Sequence, residues 1–228
     1  VEPVELPAPK AEAVAPDPTA VDPARVEGNH KCVDCHQAEF AAWQTTHHAI
    51  ETFDMLRTGD YAKQSREFCA KLGIPLQEIA KSSICVQCHA TRLEQPDGVT
   101  HVLPGVTCES CHGGSGGDDG WLNIHAVYGA NGTPRELETV EHRTRRIEQC
   151  VRAGQGRVDN PFRLATACYA CHIISDQQLV DVAEHPSASE RFEFAAWSLG
   201  EVRHNFNFDQ KNNSLVSTLR SKPIGLER

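Results

Sequence analysis

The stretch Gly105-Val106-Thr107-Cys108-Glu109-Ser110-Cys111-His112-Gly113 decides how this chain is built. Its centre is Cys-x-x-Cys-His, the pattern for covalent attachment of c-type haem. Two thiols add across the porphyrin vinyl groups, and the adjoining imidazole becomes the proximal ligand of the iron. Three more copies occur: Cys32/Cys35/His36, Cys85/Cys88/His89 and Cys168/Cys171/His172. Four Cys-x-x-Cys pairs could instead make two tetrathiolate zinc sites. Zinc gives no reason for a His to follow the second Cys, and here one follows every time. A thioredoxin-like pair needs a βαβ setting, of which the sequence shows no sign. The expected cofactors are four covalently bound haem c groups.

The 228 residues correspond to one domain or two small ones, and only 39% are apolar and 6% aromatic. That is a thin supply for an ordinary core of this length. Porphyrin faces supply the missing apolar surface, so the expected fold is mainly α, with helices and loops wrapped around a stack of four haems and little β. Unequal spacing between the motifs excludes a solenoid.

Formal charge is −9. A ferric bis-His haem with ionised propionates adds roughly −1, so four bring the total to roughly −13. Nucleic acid and anionic membrane surfaces are poor partners for such a surface; a redox protein with a basic docking face fits better. Haem attachment of this kind is extracytoplasmic, where disulfides also persist, so a Cys69–Cys150 bridge and two separate thiols are both open. The chain begins at Val1 without Met or an apolar segment, which suggests a processed form, periplasmic or otherwise extracytoplasmic. No apolar run reaches transmembrane length.

Residues 1–28, rich in Pro, Ala, Glu and Val, read as a semi-extended leader or linker, compatible with tethering to a membrane. The haem domain is expected over 29–228. Periodicity predicts helices over Gln37–Leu56 and Tyr61–Leu72, the latter stopped by Gly73, and a short one from Pro75 to Lys81. Gln95-Pro96-Asp97-Gly98 is a turn between short extended pieces. A helix opening at Thr133-Pro134-Arg135-Glu136 runs to about Arg152. Asn160-Pro161 caps the helix of the fourth motif, and a last helix covers roughly Ser189–Asn205 before an extended tail. The short interval from Cys85 to Cys108 predicts that the second and third haems are neighbours.

The only Met, Met55, limits His/Met ligation to one haem. Eight His lie outside the motifs: His30, His47, His48, His101, His125, His142, His185 and His204. That is enough for bis-His ligation throughout, which closes iron to substrates. Helical spacing puts His47 on the Phe40/Trp43 face.

KCVDCH followed by FAAWQTTHHA, and then GVTCESCHGG, resembles the tetrahaem cytochrome family that takes electrons from hydroxylamine oxidoreductase in nitrifiers. FEFAAWSLGEVRHNF looks like a broader group of environmental multihaem cytochromes. The resemblance implies an electron-transfer protein in which His48 serves the haem of Cys108/Cys111, His125 that of Cys32/Cys35, and His142 that of Cys168/Cys171. The family leaves its second haem without a strong sixth ligand. This chain departs by offering His204 on the aromatic last helix, with His185 as the alternative. The metal ligands expected are thus His36, His89, His112 and His172, with His48, His125, His142 and His204 opposite. An open iron would instead suit a reductase of a small nitrogen oxide or hydroxylamine. Ligands supplied between chains would suit a subunit of a cytochrome filament or membrane complex.

Overall fold

The structure, a computed structural model, describes residues 21–49, 51–94, 100–127, 135–156 and 161–187. Over these the fold is mainly α: α1 (His30–Val33), α2 (Gln37–Trp43), α3 (Glu51–Asp54), α4 (Ala62–Leu72), α5 (Ser83–His89), α6 (Cys108–His112), α7 (Trp121–His125), α8 (Val140–Arg152) and α9 (Pro161–His172). The described strands, β1 (Ala90–Glu94) and β2 (Thr100–Pro104), form one antiparallel hairpin with Ala90 opposite Pro104. The motifs explain why most helices are short. Cys-x-x-Cys-His needs one helical turn to bring positions i, i+3 and i+4 onto one face. Accordingly α5, α6 and α9 end at His89, His112 and His172, and the first motif runs from α1 to His36, the N-cap of α2.

The helix expected over 37–56 is broken. After Trp43, the Thr45 and Thr46 hydroxyls donate back to the carbonyls of Ala42 and Trp43, at 2.8 and 2.7 Å. Such back-bonding competes with the helical ladder. The break frees the His48 carbonyl, which accepts from the Val106 amide at 2.9 Å, while Trp43 Nε1 donates to the Val106 carbonyl at 2.9 Å. Helix α4 stops as expected, with Gly73 at φ 66° and its amide donating to the Cys69 carbonyl. The segment from Pro75 narrows to a single 3₁₀ turn, Leu76–Glu78. The turn at 95–98 lies outside the described residues, as do Thr133-Pro134, Asn160, the helix expected over Ser189–Asn205 and the tail.

Helix α8 begins later than its sequence suggests. Thr139 is the N-cap, accepting from the His142 amide at 3.2 Å, and a 3₁₀ turn, Arg135–Leu137, precedes it. Glu138 takes a two-pronged hydrogen bond from Arg146, at 2.6 and 2.7 Å, which folds this approach against the helix. Leu137 and Val140 are 69% and 76% exposed. The described segment ahead of Asn29 is also packed. Asp22 caps a 3₁₀ turn at Pro23–Arg25, Val26 is buried, and the Gly116 amide donates to the Arg25 carbonyl at 2.8 Å.

A side-chain core forms around Phe53, Leu56, Cys69, Ile79, Val86 and Ala90, with Cys85 packed on its border. It holds α3, α4 and α5 against the hairpin. Cys150 is buried elsewhere, on α8, where its thiol reaches the Trp121 carbonyl at 3.8 Å. Cys69 and Cys150 are two separate free thiols, not a disulfide.

Candidate functional site: four Cys-x-x-Cys-His motifs and paired imidazoles

The third motif is the most heavily anchored. Glu109, inside Cys-Glu-Ser-Cys-His, is 1% exposed. Its carboxylate accepts from the Glu27 amide (3.0 Å), the Gly28 amide (2.7 Å), the Ser115 amide (2.9 Å) and the Ser115 hydroxyl (2.6 Å). A buried carboxylate with this many donors is satisfied, and it ties the N-terminal segment and the Gly-rich loop to α6. Asn29 Oδ1 accepts from the Cys108 amide at 3.1 Å, joining the first motif to the third. Thr91 receives the Thr107 amide at 3.0 Å and meets the Ser110 hydroxyl at 2.7 Å, fixing α6 to the hairpin.

Two glycines permit close backbone approach beside this motif. Gly105 has φ 82°, and a Cβ there would stand 2.7 Å from the His48 carbonyl oxygen. At Gly113, with φ 83°, a Cβ would strike the carbonyl oxygen of Gly154. That contact aligns Gly156, whose amide donates to the His112 carbonyl at 2.7 Å.

The thiols group across motifs. Cys32 is hydrogen-bonded to Cys108, and with burial this raises it well above the ordinary thiol value; Cys88, bonded to Cys171, is raised likewise. Burial, with Cys168 beside it, pushes Cys111 up to about 12, and burial pushes Cys168 up to about 11. Thiols this basic remain neutral at physiological pH, as packed –SH groups. The first motif thus adjoins the third, the third the fourth, and the fourth the second. Among these contacts the thiols of the second and third motifs do not meet directly. Helices α5 and α6 leave the same open end of the hairpin, yet both pack on α9, and Cys108 turns to Cys32 while Cys88 turns to Cys171.

Cys35 differs from the other motif thiols. It is exposed, whereas the other motif thiols are half-buried. The reason is local. Helix α1 ends at Val33 and α2 starts at Gln37, so Cys35 stands on the link between two helices and not within one, as Cys88, Cys111 and Cys171 do. The turn itself is kept: the amides of Cys35 and His36 both donate to the Cys32 carbonyl, at 3.2 and 2.9 Å. Cys35 therefore sits at the rim of the thiol grouping, one residue from the imidazole it was expected to accompany.

The imidazoles meet in twos. His36 and His125 have ring centres 6.1 Å apart, His48 and His172 6.0 Å, and His89 and His185 6.3 Å. Roughly 2 Å from a metal to an imidazole nitrogen, and roughly 1.1 Å more to the ring centre, puts two trans imidazoles about 6 Å apart. The spacing therefore fits one iron between each pair. Among the described residues no three His, Cys, Asp or Glu side chains converge as a lone metal ion would require.

Several of these rings are also fixed in tautomer. His89 Nδ1 lies 2.7 Å from the Thr52 carbonyl and His112 Nδ1 3.0 Å from that of Gly156. A carbonyl only accepts, so Nδ1 carries the proton and Nε2 offers its lone pair. His142 Nδ1 donates to Glu138 Oε1 at 2.9 Å, with the same result. Arg146 chiefly holds Glu138 down at about 2, below its ordinary 4.5, so that it stays an acceptor. Burial lowers His89 and His172, which keeps both imidazoles neutral.

Of the expected distal residues, His125 faces His36, the proximal residue of the first motif. His48 rather than His47 turns inward; His47 is largely exposed beside Glu51 at 3.4 Å. The ring of His48 meets His172, not the third motif, although its backbone lies on Val106 next to that motif. His204 lies outside the described residues, and His185 is the residue that faces His89. His101 is exposed on β2 opposite Leu93. Sequence reasoning missed Glu109, which occupies a variable position of the motif, and Glu138, whose i, i+4 spacing to His142 was the available signal.

Residues 31–113 match the family described as cytochrome c554 and c-prime. That span contains the first three motifs; the fourth lies beyond it. Cytochrome c-554 of Nitrosomonas europaea is 36% identical over 92 residues, covering 38% of this chain and 37% of the relative. The match thus spans little more than a third of the relative's length. No solved structure matches the chain. The likeness to the nitrifier-type cytochrome c family carried by the motifs is thereby shown, and that likeness implies covalently bound haem c.

Proposed function

We propose that this chain is an electron-transfer protein carrying four haem c groups, joined to Cys32/Cys35, Cys85/Cys88, Cys108/Cys111 and Cys168/Cys171. The proximal ligands are His36, His89, His112 and His172. The observation that carries the reading is the set of paired imidazoles at the spacing of two trans ligands, each pair containing the His of one motif. Haem c, when bound, supplies an iron that takes up and releases single electrons.

The chain's own residues do the rest. His125 serves opposite His36, and His48 opposite His172. His142, which the resemblance gave to the Cys168/Cys171 haem, is reassigned by elimination to the iron of His112, because His48 already faces His172. Cys35, at the exposed rim of the first motif, makes that haem the one with an edge nearest solvent. Two neutral imidazoles per iron leave no position for a substrate and favour the reduced potentials of a carrier. Hydrogen bonds at Nδ1 raise ligand basicity and grade the sites. The thiol contacts support a relay running first, third, fourth, second. An acidic chain at −9 calls for a redox partner with a basic face, and the attachment chemistry for an extracytoplasmic location. Among the described residues no helix is long and apolar enough to cross a membrane; in this reading the tether is confined to the part of the leader ahead of the packed segment that begins at Asp22.

The test is the intact mass of the purified protein after acid–acetone extraction. Four haem adducts per chain, with the colour retained, are expected. Three adducts, or tightly held zinc, would overturn the reading.

A further inference from the structure

We infer that His185 is the sixth ligand of the haem on Cys85/Cys88, so that this iron is closed. The inference rests on the attachment proposed above and concerns how this chain completes its second site. His89 and His185 have ring centres 6.3 Å apart with planes at 65°. Both rings are engaged at Nδ1: His89 by the Thr52 carbonyl at 2.7 Å and His185 by the Pro186 carbonyl at 2.9 Å. Carbonyls only accept, so both Nδ1 atoms are protonated and both Nε2 atoms are free to ligate. Two imidazoles with that tautomer at that spacing are what one iron between them requires.

The segment bearing His185 is built to hold it there. A π-helical turn, Gln178–Val182, ends with Ala183 fully buried and Leu179 6% exposed. Glu184 then takes a left-handed conformation, φ 59°, uncommon for a residue with a side chain. That reversal sends the His185 amide back to the Leu179 carbonyl at 2.8 Å. Lys71, at the end of α4, clamps the reversal from outside, with Nζ 2.5 Å from Glu184 Oε2 and 3.3 Å from the Ala183 carbonyl. The Phe68 ring, one turn earlier on α4, packs on His185 with centres 5.0 Å apart. Since α4 is held to α5 through the Cys69–Val86 core, proximal and distal residues share one rigid support. His185 is thereby positioned from three sides. Its neighbour Pro186 adds a fixed φ, which limits how far the chain can carry the ring away.

The experiment uses the holoprotein. Peptide mass mapping first asks whether Cys85/Cys88 carries haem; a bare peptide would overturn the attachment reading itself. With haem present, electron paramagnetic resonance of the oxidised protein is expected to show only low-spin iron, and the reduced protein no carbon monoxide binding. His185→Ala should convert one haem equivalent to high spin and create one carbon monoxide site per chain. His204→Ala should change neither. A high-spin haem in the unaltered protein overturns the inference while leaving attachment intact. So does a His204→Ala variant that opens the iron. If His185→Ala does not accumulate, His185→Met provides the second arm: a low-spin haem with shifted absorption and raised potential is expected, and an unchanged spectrum and potential would refute the ligation.

Discussion

Replacing Glu109 tests the anchoring of the third motif. The carboxylate is buried and is the shared acceptor for the amides of Glu27, Gly28 and Ser115 and for the Ser115 hydroxyl. Glu109→Ala deprives all four donors at once. An orphaned buried donor costs about 1–3 kcal/mol, but partial hydration and relaxation keep the four from adding. A hydrogen bond to a charged group contributes about 1.5–3 kcal/mol, so a total loss of at least about 3 kcal/mol is expected here. Glu109→Gln preserves shape but places an NH₂ against amide donors. The Ser115 hydroxyl can rotate to accept, whereas the Gly28 amide, 2.7 Å from Oε2, cannot. One or two donors are then unsatisfied, for a loss of about 1–3 kcal/mol. Urea unfolding of the holoprotein, followed by circular dichroism and by haem absorption, measures both. An Ala variant with full haem content and stability within about 0.5 kcal/mol of the parent would refute the reasoning, because that is the range of surface changes that touch nothing.

Further outcomes follow from particular contacts. His48→Ala should turn the haem on Cys168/Cys171 high spin, whereas His47→Ala should leave the spectrum unaltered; conversion of the Cys108/Cys111 haem instead would restore the family-derived assignment. Alkylation of the denatured, unreduced protein should label two thiols, Cys69 and Cys150. No labelling would mean a bridge, and a third label at Cys35 would mean that the first haem is held by Cys32 alone. Gly105→Ala puts a methyl 2.7 Å from the His48 carbonyl oxygen at φ 82°. The left-handed backbone alone costs roughly 1–2 kcal/mol, so a lowered midpoint in thermal unfolding should report at least that.

What could be read from sequence follows from how local its cause is. Covalent haem chemistry fixes Cys-x-x-Cys-His to one helical turn, so the helices of the second, third and fourth motifs were legible. The first motif keeps the turn but is divided between α1 and α2, which leaves Cys35 exposed, and its spacing gives no sign of that. Gly73 ends α4 by its own backbone freedom, and the turn residues at 95–98 implied the two strands. Where tertiary contacts decide, local pattern misled. The 37–56 helix keeps its periodicity on paper but yields to the Thr45 and Thr46 back-bonds and to the Trp43–Val106 contact. Helix α8 is capped at Thr139 and approached by a 3₁₀ turn, because Glu138 binds Arg146 and folds that approach against the helix. His48 turns inward where His47 does not, but which motif it meets depends on α9 lying beside it, and no spacing within 29–113 encodes that. His185 looked secondary because its role comes from a backbone reversal at Glu184 and a clamp from Lys71, far away in sequence.

The central claim is four irons, each between paired imidazoles, joined first to third to fourth to second. Crystals of the holoprotein measured at the iron absorption edge test it most directly. The account predicts four anomalous peaks per chain, lying between His36 and His125, His89 and His185, His112 and His142, and His172 and His48, with the third and fourth irons adjacent. Fewer peaks, a peak lacking its second imidazole, or a chain of irons that passes directly from the second to the third would contradict it.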